Sequence, residues 1–311
     1  MEFLSKVTHI DFMRKRRVAA IISAAVIVIS LGSMILRGLN FGIEFTGGVV
    51  IEVGYPEAPD LTAIRAGMAT AGYPQAIVQN FGSSRDIVIQ MEAQQDRAGS
   101  AVRDEVMTVL REFDAGVTLR RVEFVGPQVG EELAEAGGLA TLFALLMILA
   151  YVAFRFQWKF AVGSVAALVH DVIITLGFFS LTQSAFDLSV LAAILAVIGY
   201  SLNDTIVVFD RIRENLLRIR KQSTSDVMNL SINQMLARTL TTSGTTLLVL
   251  LALFVFGGEA IHGFSIALIV GVLVGTYSSI YIASPTALAL DVSATDLMPP
   301  QKDDSEIDAL P

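Results

Sequence analysis

The chain of 311 residues contains no cysteine. That excludes disulfides, thiolate-held zinc, iron–sulfur clusters and thiol catalysis. Charge is also scarce, with Asp, Glu, Lys and Arg at 17% against roughly 25% in soluble domains. Only three histidines occur, His9, His170 and His262, too far apart for metal-site spacing. The net charge of −8 argues against nucleic acid as the main partner. G-x-x-x-x-G-K-[ST] is absent, as is a strand-flanked G-x-G-x-x-G, so no nucleotide and no other cofactor is expected. Nor is there H-E-x-x-H or G-x-S-x-G, the marks of an intramembrane hydrolase.

What the chain has is apolar length. Apolar residues make up 53%, and the mean hydropathy is +0.63. A membrane span needs about 20 mostly apolar residues. Six segments qualify: roughly Val18–Leu36, Gly137–Phe154, Phe160–Leu181, Phe186–Phe209, Leu240–Phe256 and Phe264–Leu290. Pro285 is placed to end or kink the last. The first span follows Arg14-Lys15-Arg16-Arg17 like a signal peptide. Its apolar stretch of about 19 residues is too long for an h-region, so it reads as an uncleaved anchor.

Basic residues set the orientation. Arg14 to Arg17, then Arg155 and Lys159, then Arg211, Arg213, Arg218, Arg220 and Lys221 all fall on one side, the cytoplasm. The loops near Gln183 and Gly257-Gly258-Glu259 carry no Lys or Arg. Both termini are then cytoplasmic, with Tyr151 and Trp158 as interfacial anchors. The expected layout is a cytoplasmic N-terminus over 1–17 and span 1 over 18–36. An external domain over 37–136, spans 2–6 over 137–290 and a polar, acidic, disordered cytoplasmic tail over 291–311 follow.

The external loop has no lysine and an excess of acids. Val49–Val53 reads as a strand; Leu61, Ile64, Arg65 and Met68 fit a helix capped by Asp60. Gln75–Phe81 and Asp86–Met91 form strands around Gly82-Ser83-Ser84. Ala98–Phe113 reads as a helix with Val102, Val106, Val109 and Leu110 on one face, and Val117–Val125 alternates as a last strand. The order βαββαβ is the ferredoxin-like pattern, and it names no function by itself. The fold expected is thus a polytopic α-helical membrane protein of six spans with an inserted α+β ferredoxin-like domain.

Charges within spans cost at least ~2.5 kcal/mol each on insertion scales and are functional suspects. Asp204 lies in span 4, seven residues or about 10 Å before Arg211. Arg238 lies at similar depth if helix 5 begins near Ser231. Asp204, Tyr200, Ser201 and Val208 share one helical face; Arg238, Thr242 and Thr245 share another. Thr239, Thr241, Ser243 and Thr246 add hydroxyls nearby. An acid, a base and a hydroxyl stripe at matched depth suit a proton path, because burial raises an aspartate pKa and Arg⁺ lowers it. A structural salt bridge, or two charges snorkelling to the interface, fits the same residues. Asp171, after His170 in span 3, joins Asn203 and Thr245 as a candidate polar network and a candidate for a direct proton role, or caps a packing contact. Asp210 with Arg211, Arg213 and Glu214 reads as a surface ion-pair cluster. Gly271 and Gly275 form G-x-x-x-G, which serves packing within the subunit or a partner helix. Ser223–Leu236 is mildly amphipathic and suits a surface helix before span 5.

These residues carry a resemblance. Val197-Ile198-Gly199-Tyr200-Ser201-Leu202-Asn203-Asp204-Thr205, running on to Phe209-Asp210-Arg211, resembles the signature of the SecF family of protein-export membrane proteins, in the resistance–nodulation–division (RND) class. Glu44-Phe45-Thr46-Gly47-Gly48 resembles that family's D/E-F-T-G-G segment. Val125-Gly126-Pro127 resembles its V-G-P segment, and Leu236-Ala237-Arg238-Thr239 the opening of its span 5. The resemblance implies half of a twelve-span unit completed by SecD, in the bacterial inner membrane. It also implies association with the SecYEG channel and YajC, contact with an unfolded exported polypeptide, and use of the proton-motive force. It further implies that Asp204, Arg238 and Thr242 couple protons to export. The alternatives on the residues alone are an RND-type exporter of small molecules or lipids and a scaffold without transport. One external domain in one half-unit disfavours the exporter.

Overall fold

The computed structural model describes residues 8–92, 99–219, 221–258 and 261–297. Among them, six helices are long and apolar enough to cross a membrane. The first, α1 (Arg16–Arg37), follows a 3₁₀ turn at Met13–Lys15 and ends where Gly38 turns to φ 67°. The chain then forms a two-residue strand, β1 (Asn40–Phe41), and one helical turn, α2 (Ile43–Thr46).

The inserted domain follows as β2 (Gly48–Gly54), α3 (Leu61–Thr70), β3 (Ile77–Phe81), β4 (Ser83–Met91), α4 (Gly99–Phe113) and β5 (Thr118–Val125). The sheet order is β3-β4-β2-β5, antiparallel throughout, which is the ferredoxin-like order. Its core follows from period-2 alternation in the strands: Val49, Ile51 and Val53 of β2 and Ile87 and Ile89 of β4 meet Ile64, Met68, Val106 and Leu110 of the helices. Asp60 caps α3, accepting from the Thr62 N–H at 2.8 Å. The expected hairpin turn is shorter than its sequence suggested. Gly82 alone separates the strands, at φ 74°, and β4 starts at Ser83. A bulge in β5 opposite Glu52–Val53 leaves Arg120 unpaired in the ladder, and its guanidinium lies 3.2 Å from Asp86. Ala98, expected to open α4, lies outside the described residues.

The bundle resumes with α5 (Pro127–Arg155) and α6 (Trp158–Thr182). A second short strand, β6 (Ala185–Phe186), precedes α7 (Leu188–Arg218) and α8 (Thr224–Phe256). Helix α9 (His262–Ser278) passes through a π-helical turn at Ser279–Ala283 into α10 (Ser284–Ala289). Helix α5 begins ten residues before the apolar run because Pro127, lacking an N–H, sits at the first helical position. The π turn answers Pro285, which cannot donate to the preceding turn. Helix α8 is continuous from its Ser223 cap, so Ser223–Leu236 is the first part of the spanning helix and not a separate surface helix. No proline interrupts it, and Ser223 and Asp226 close a reciprocal cap.

Three glycines of α9 bring it against α7. A Cβ on Gly263 would meet Val190 at 3.0 Å, on Gly271 Val197 at 2.1 Å, and on Gly275 Ser201 at 3.0 Å. The G-x-x-x-G face is thus used within the subunit. At the Gly263 end of this contact, β1 pairs in parallel with β6, Asn40 with Ala185 and Phe41 with Phe186, and Phe45 packs on the same aromatic group. This ties the root of the inserted domain to the start of α7.

The expected disorder of the tail does not hold for residues 291–297. Val292 and Leu297 are buried in the bundle core, and Lys159 bonds Asp296 at 2.7 Å. The remainder of the tail lies outside the described residues.

Candidate functional site

Asp204 sits on the buried side of α7, in the middle of its length. The Thr239 hydroxyl of α8 donates to Oδ1 at 2.9 Å. The other oxygen, Oδ2, is buried without a well-formed hydrogen bond, with the Ser279 hydroxyl and the Arg238 guanidinium in its surroundings. A half-satisfied carboxylate in a spanning helix is costly to keep charged, and that suits a group that gains and loses a proton.

Arg238 follows a different course from the sequence expectation. It lies on the exposed side of α8, about four turns into the helix, and forms no ion pair with Asp204 among the described residues. Thr242 is also exposed, its hydroxyl donating to the Arg238 carbonyl at 3.0 Å. Thr245 bonds the Thr241 and Thr242 carbonyls of its own helix. Asn203 is exposed on α7. Of the predicted residues, then, Arg238, Thr242, Thr245 and Asn203 lie on open surfaces of α7 and α8, and Asp204 faces inward between them.

The face shared by Asp204, Tyr200, Ser201 and Val208 splits in three dimensions. Tyr200 donates to Ser243 at 3.3 Å, and Ser243 meets Thr276 of α9 at 2.7 Å. Ser201 turns to Asp171, donating to Oδ2 at 2.5 Å. Asp171 also accepts from Ser278 at 2.8 Å and meets His170 Nδ1 at 2.9 Å. Asn203 and Thr245 are not in this network. Sequence reading underrated Thr239 and missed Ser278 and Ser279, the paired hydroxyls that open the π turn. Their signal was two adjacent serines inside an apolar run, six residues before a proline.

Nearer the basic end, Arg155 of α5 pairs with Asp210 at 3.1 Å, while Arg211 and Arg218 both pair with Glu214. Arg211 also donates to Gln234 of α8 at 2.6 Å, and Asn215 donates to Ser231 and Gln234. The N-terminal segment docks here too. Asn233 accepts from the Ile10 N–H and donates to the Ile10 carbonyl, and Asn229 accepts from the Met13 N–H at 2.9 Å. Outside the spans, the Glu44 carboxyl of α2 is pushed above its ordinary 4.5, first by desolvation and then by the neighbouring Asp187.

Known proteins agree with this architecture. The family pattern "Protein export membrane protein SecD/SecF, C-terminal" matches residues 105–293, and "SecD/SecF GG Motif" matches residues 32–55. The chain is 50% identical to the protein translocase subunit SecF of Vibrio alginolyticus, with 97% of each chain covered. It is 51% identical to that of Pseudomonas aeruginosa, covering 96% of this chain and 97% of the other. Among solved structures, SecDF of Thermus thermophilus, described as a translocon-associated membrane protein, superposes with a TM-score of 0.83 at 36% identity. That match covers 91% of this chain, which spans only 39% of the solved one. A SecDF structure in a super-membrane-facing form gives a TM-score of 0.69 at 36% identity, with the same coverage. The six spanning helices, the inserted sheet and the two glycines after α2 agree with these relatives, and the chain belongs to the SecD/SecF family of protein export membrane proteins, with the protein translocase subunits SecF.

Proposed function

We propose that this translocase subunit is proton-driven and that Asp204 carries the proton. The carrying observation is the placement of Asp204: buried in a spanning helix, bonded on one oxygen by Thr239, and flanked by an Arg238 that points to an open face. Arg238 is the fixed counter-ion and Thr242 its neighbouring hydroxyl. Asp171 extends the polar interior, with Asn203 and Thr245 on the face where further polar groups are expected. In one state Asp204 is protonated; in the other it is ionised and paired with Arg238. Moving one charge supplies ~2.3 kcal/mol per 100 mV, so few protons suffice to bias a two-state bundle.

The open face of Asn203, Arg238, Thr242 and Thr245 is completed by SecD, whose half of the unit fills the rest of a SecDF chain. The basic ends of α5 to α8 and the N-terminal segment lie in the cytoplasm with both termini, and the insert lies in the periplasm, with the membrane the inner one. The domain limits are those of the sequence reading: 1–17, 18–36, 37–136, 137–290 and 291–311. The unit works beside SecYEG and YajC, and the insert hinders an unfolded exported chain from sliding back.

The test is export into inverted membrane vesicles carrying SecD with this chain, wild type against Asp204→Asn, at matched protein levels and constant ATP. Loss of only the ionophore-sensitive part supports the reading. Unchanged export with unchanged ionophore sensitivity overturns it.

A further inference from the structure

The buried hydrogen bonds around His170 and Asp171 fix a proton count. The Ala19 carbonyl can only accept, so the single Tyr277 hydroxyl proton goes to it, at 3.0 Å. In the 2.9 Å contact between Ser23 and Tyr277, Ser23 must then be the donor. That uses the one Ser23 proton. In the 3.2 Å contact between His170 Nε2 and Ser23, the imidazole must therefore donate. The remaining contact, His170 Nδ1 to Asp171 Oδ1 at 2.9 Å, needs one proton between two groups that would otherwise both accept.

The surroundings place that proton on the imidazole. Asp171 Oδ2 already receives the Ser201 hydroxyl at 2.5 Å and the Ser278 hydroxyl at 2.8 Å, the latter shared with the Gly275 carbonyl at 3.1 Å. A carboxylate oxygen that accepts from two hydroxyls suits the ionised form. The Tyr277 ring stacks on the imidazole with centroids 6.0 Å apart and planes inclined by 25°, within reach of a cation–π contact. Among the described residues, Tyr277 on α9 is the titratable group stacked on the pair, with Tyr281 behind it, while Asp204 lies one turn from Ser201 on α7. An apolar groove lined by Ile22, Val26, Ile174, Leu273 and Tyr277 leads to His170 and Ser23 between α1, α6 and α9.

We propose that the His170–Asp171 pair is a second proton-binding site of this bundle, separate from Asp204. Its bound form is imidazolium with carboxylate; its released form is neutral imidazole with carboxylate, the proton leaving to bulk water outside the bundle. Release leaves one net negative charge among α1, α6, α7 and α9, so these helices must re-pair their hydroxyls when it happens. The inference does not need Asp204 to carry a proton.

The test is nitrogen magnetic resonance on the full chain in lipid nanodiscs, labelled with ¹⁵N-histidine. His9→Gln and His262→Gln leave His170 as the single signal. Across about pH 5 to 8, the expected result is a ring protonated on both nitrogens at the acid end, with Asp171→Asn converting it to a neutral ring. Ser23→Ala, a milder change, is expected to shift Nε2 and spare Nδ1. A wild-type ring that is neutral at every pH overturns the proposal. In the vesicle assay His170→Gln is expected to remove at least about ten-fold of the ionophore-sensitive export; unchanged sensitivity overturns a role in the cycle. An Asp204→Asn variant that fails to alter export would defeat the earlier reading and leave the resonance result intact.

Discussion

The Thr239 hydroxyl donates to Asp204 at 2.9 Å, while the adjacent Arg238 side chain lies on the exposed side of the same helix. One step along α8 thus separates the partner that holds the acid from the charge that can answer it. Thr239→Val removes a bond to a buried carboxylate, worth about 1.5–3 kcal/mol when the acceptor is charged. The expected outcome is a fall in ionophore-sensitive export with Val and near-normal export with Thr239→Ser. Thr242→Val is expected to leave the unfolding free energy of the chain alone within about 0.5 kcal/mol, since Thr242 bonds only its own helix. Equal export losses for Val and Ser would contradict the assignment of Thr239.

Gly271 gives a packing prediction. Its missing Cβ would lie 2.1 Å from Val197. Gly271→Ala forces α9 off α7, and overpacking of this kind costs about 1–3 kcal/mol. Thermal unfolding in detergent is expected to fall accordingly. Val197→Ala in the same chain is expected to restore much of the loss, a non-additivity that unrelated sites would not show.

The N-terminal segment gives a third. Asn233 pairs with both backbone groups of Ile10, and Asn229 holds Met13 and Asp11. Substituting both by Ala leaves those groups to water. Hydrogen exchange at residues 10–13 is expected to speed up by an order of magnitude or more, with little change in the inserted domain. Unchanged protection would show that Phe12 and Met13, buried below, suffice alone.

Two acids outside the spans pull in opposite directions with pH. Glu44 is raised above 4.5, mainly by burial, so its stabilising contribution is present below 4.5 and lost as pH rises through the higher folded value. Asp296 is lowered from 3.8 by its bond to Lys159, so its contribution is present above 3.8 and lost as pH falls below it. Glu44→Gln is therefore expected to raise the unfolding temperature near neutral pH and to make no difference in acid. Asp296→Asn is expected to lower it near neutral pH, by a small amount because the pair is partly exposed.

How much of this was legible in sequence divides by range. The ferredoxin-like order could be read because Val49, Ile51 and Val53 alternate and Val102, Val106 and Leu110 recur at helical spacing, both local signals. The six spans were readable from apolar length. Asp204 stood out because charge inside a span is rare. Its partner did not, since helical phase decides whether Thr239 or Thr242 faces inward, and that phase depends on where α8 starts. Reading the helix as beginning near Ser231 hid the fact that Ser223 caps it. The Asp171 network was beyond reach for another reason. Ser23, His170, Ser201 and Ser278 come from four helices, and only packing brings them together.

The two flanks of α7 are built from different materials. Against α9 it is closed mainly by small residues, with Gly263 and Gly271 on Val190 and Val197 and Gly275 on Ser201, a close contact that leaves little room for a second register. Against α8 it is joined by hydroxyls, amides and a guanidinium at Ser243, Thr239, Gln234 and Ser231, groups that can trade one partner for another. Helices α7 and α9 therefore travel as one plank, and the fault line of the molecule runs along α8. Because β6 stitches the start of α7 to β1 at the root of the insert, slippage along this line reaches the sheet as displacement of its anchor.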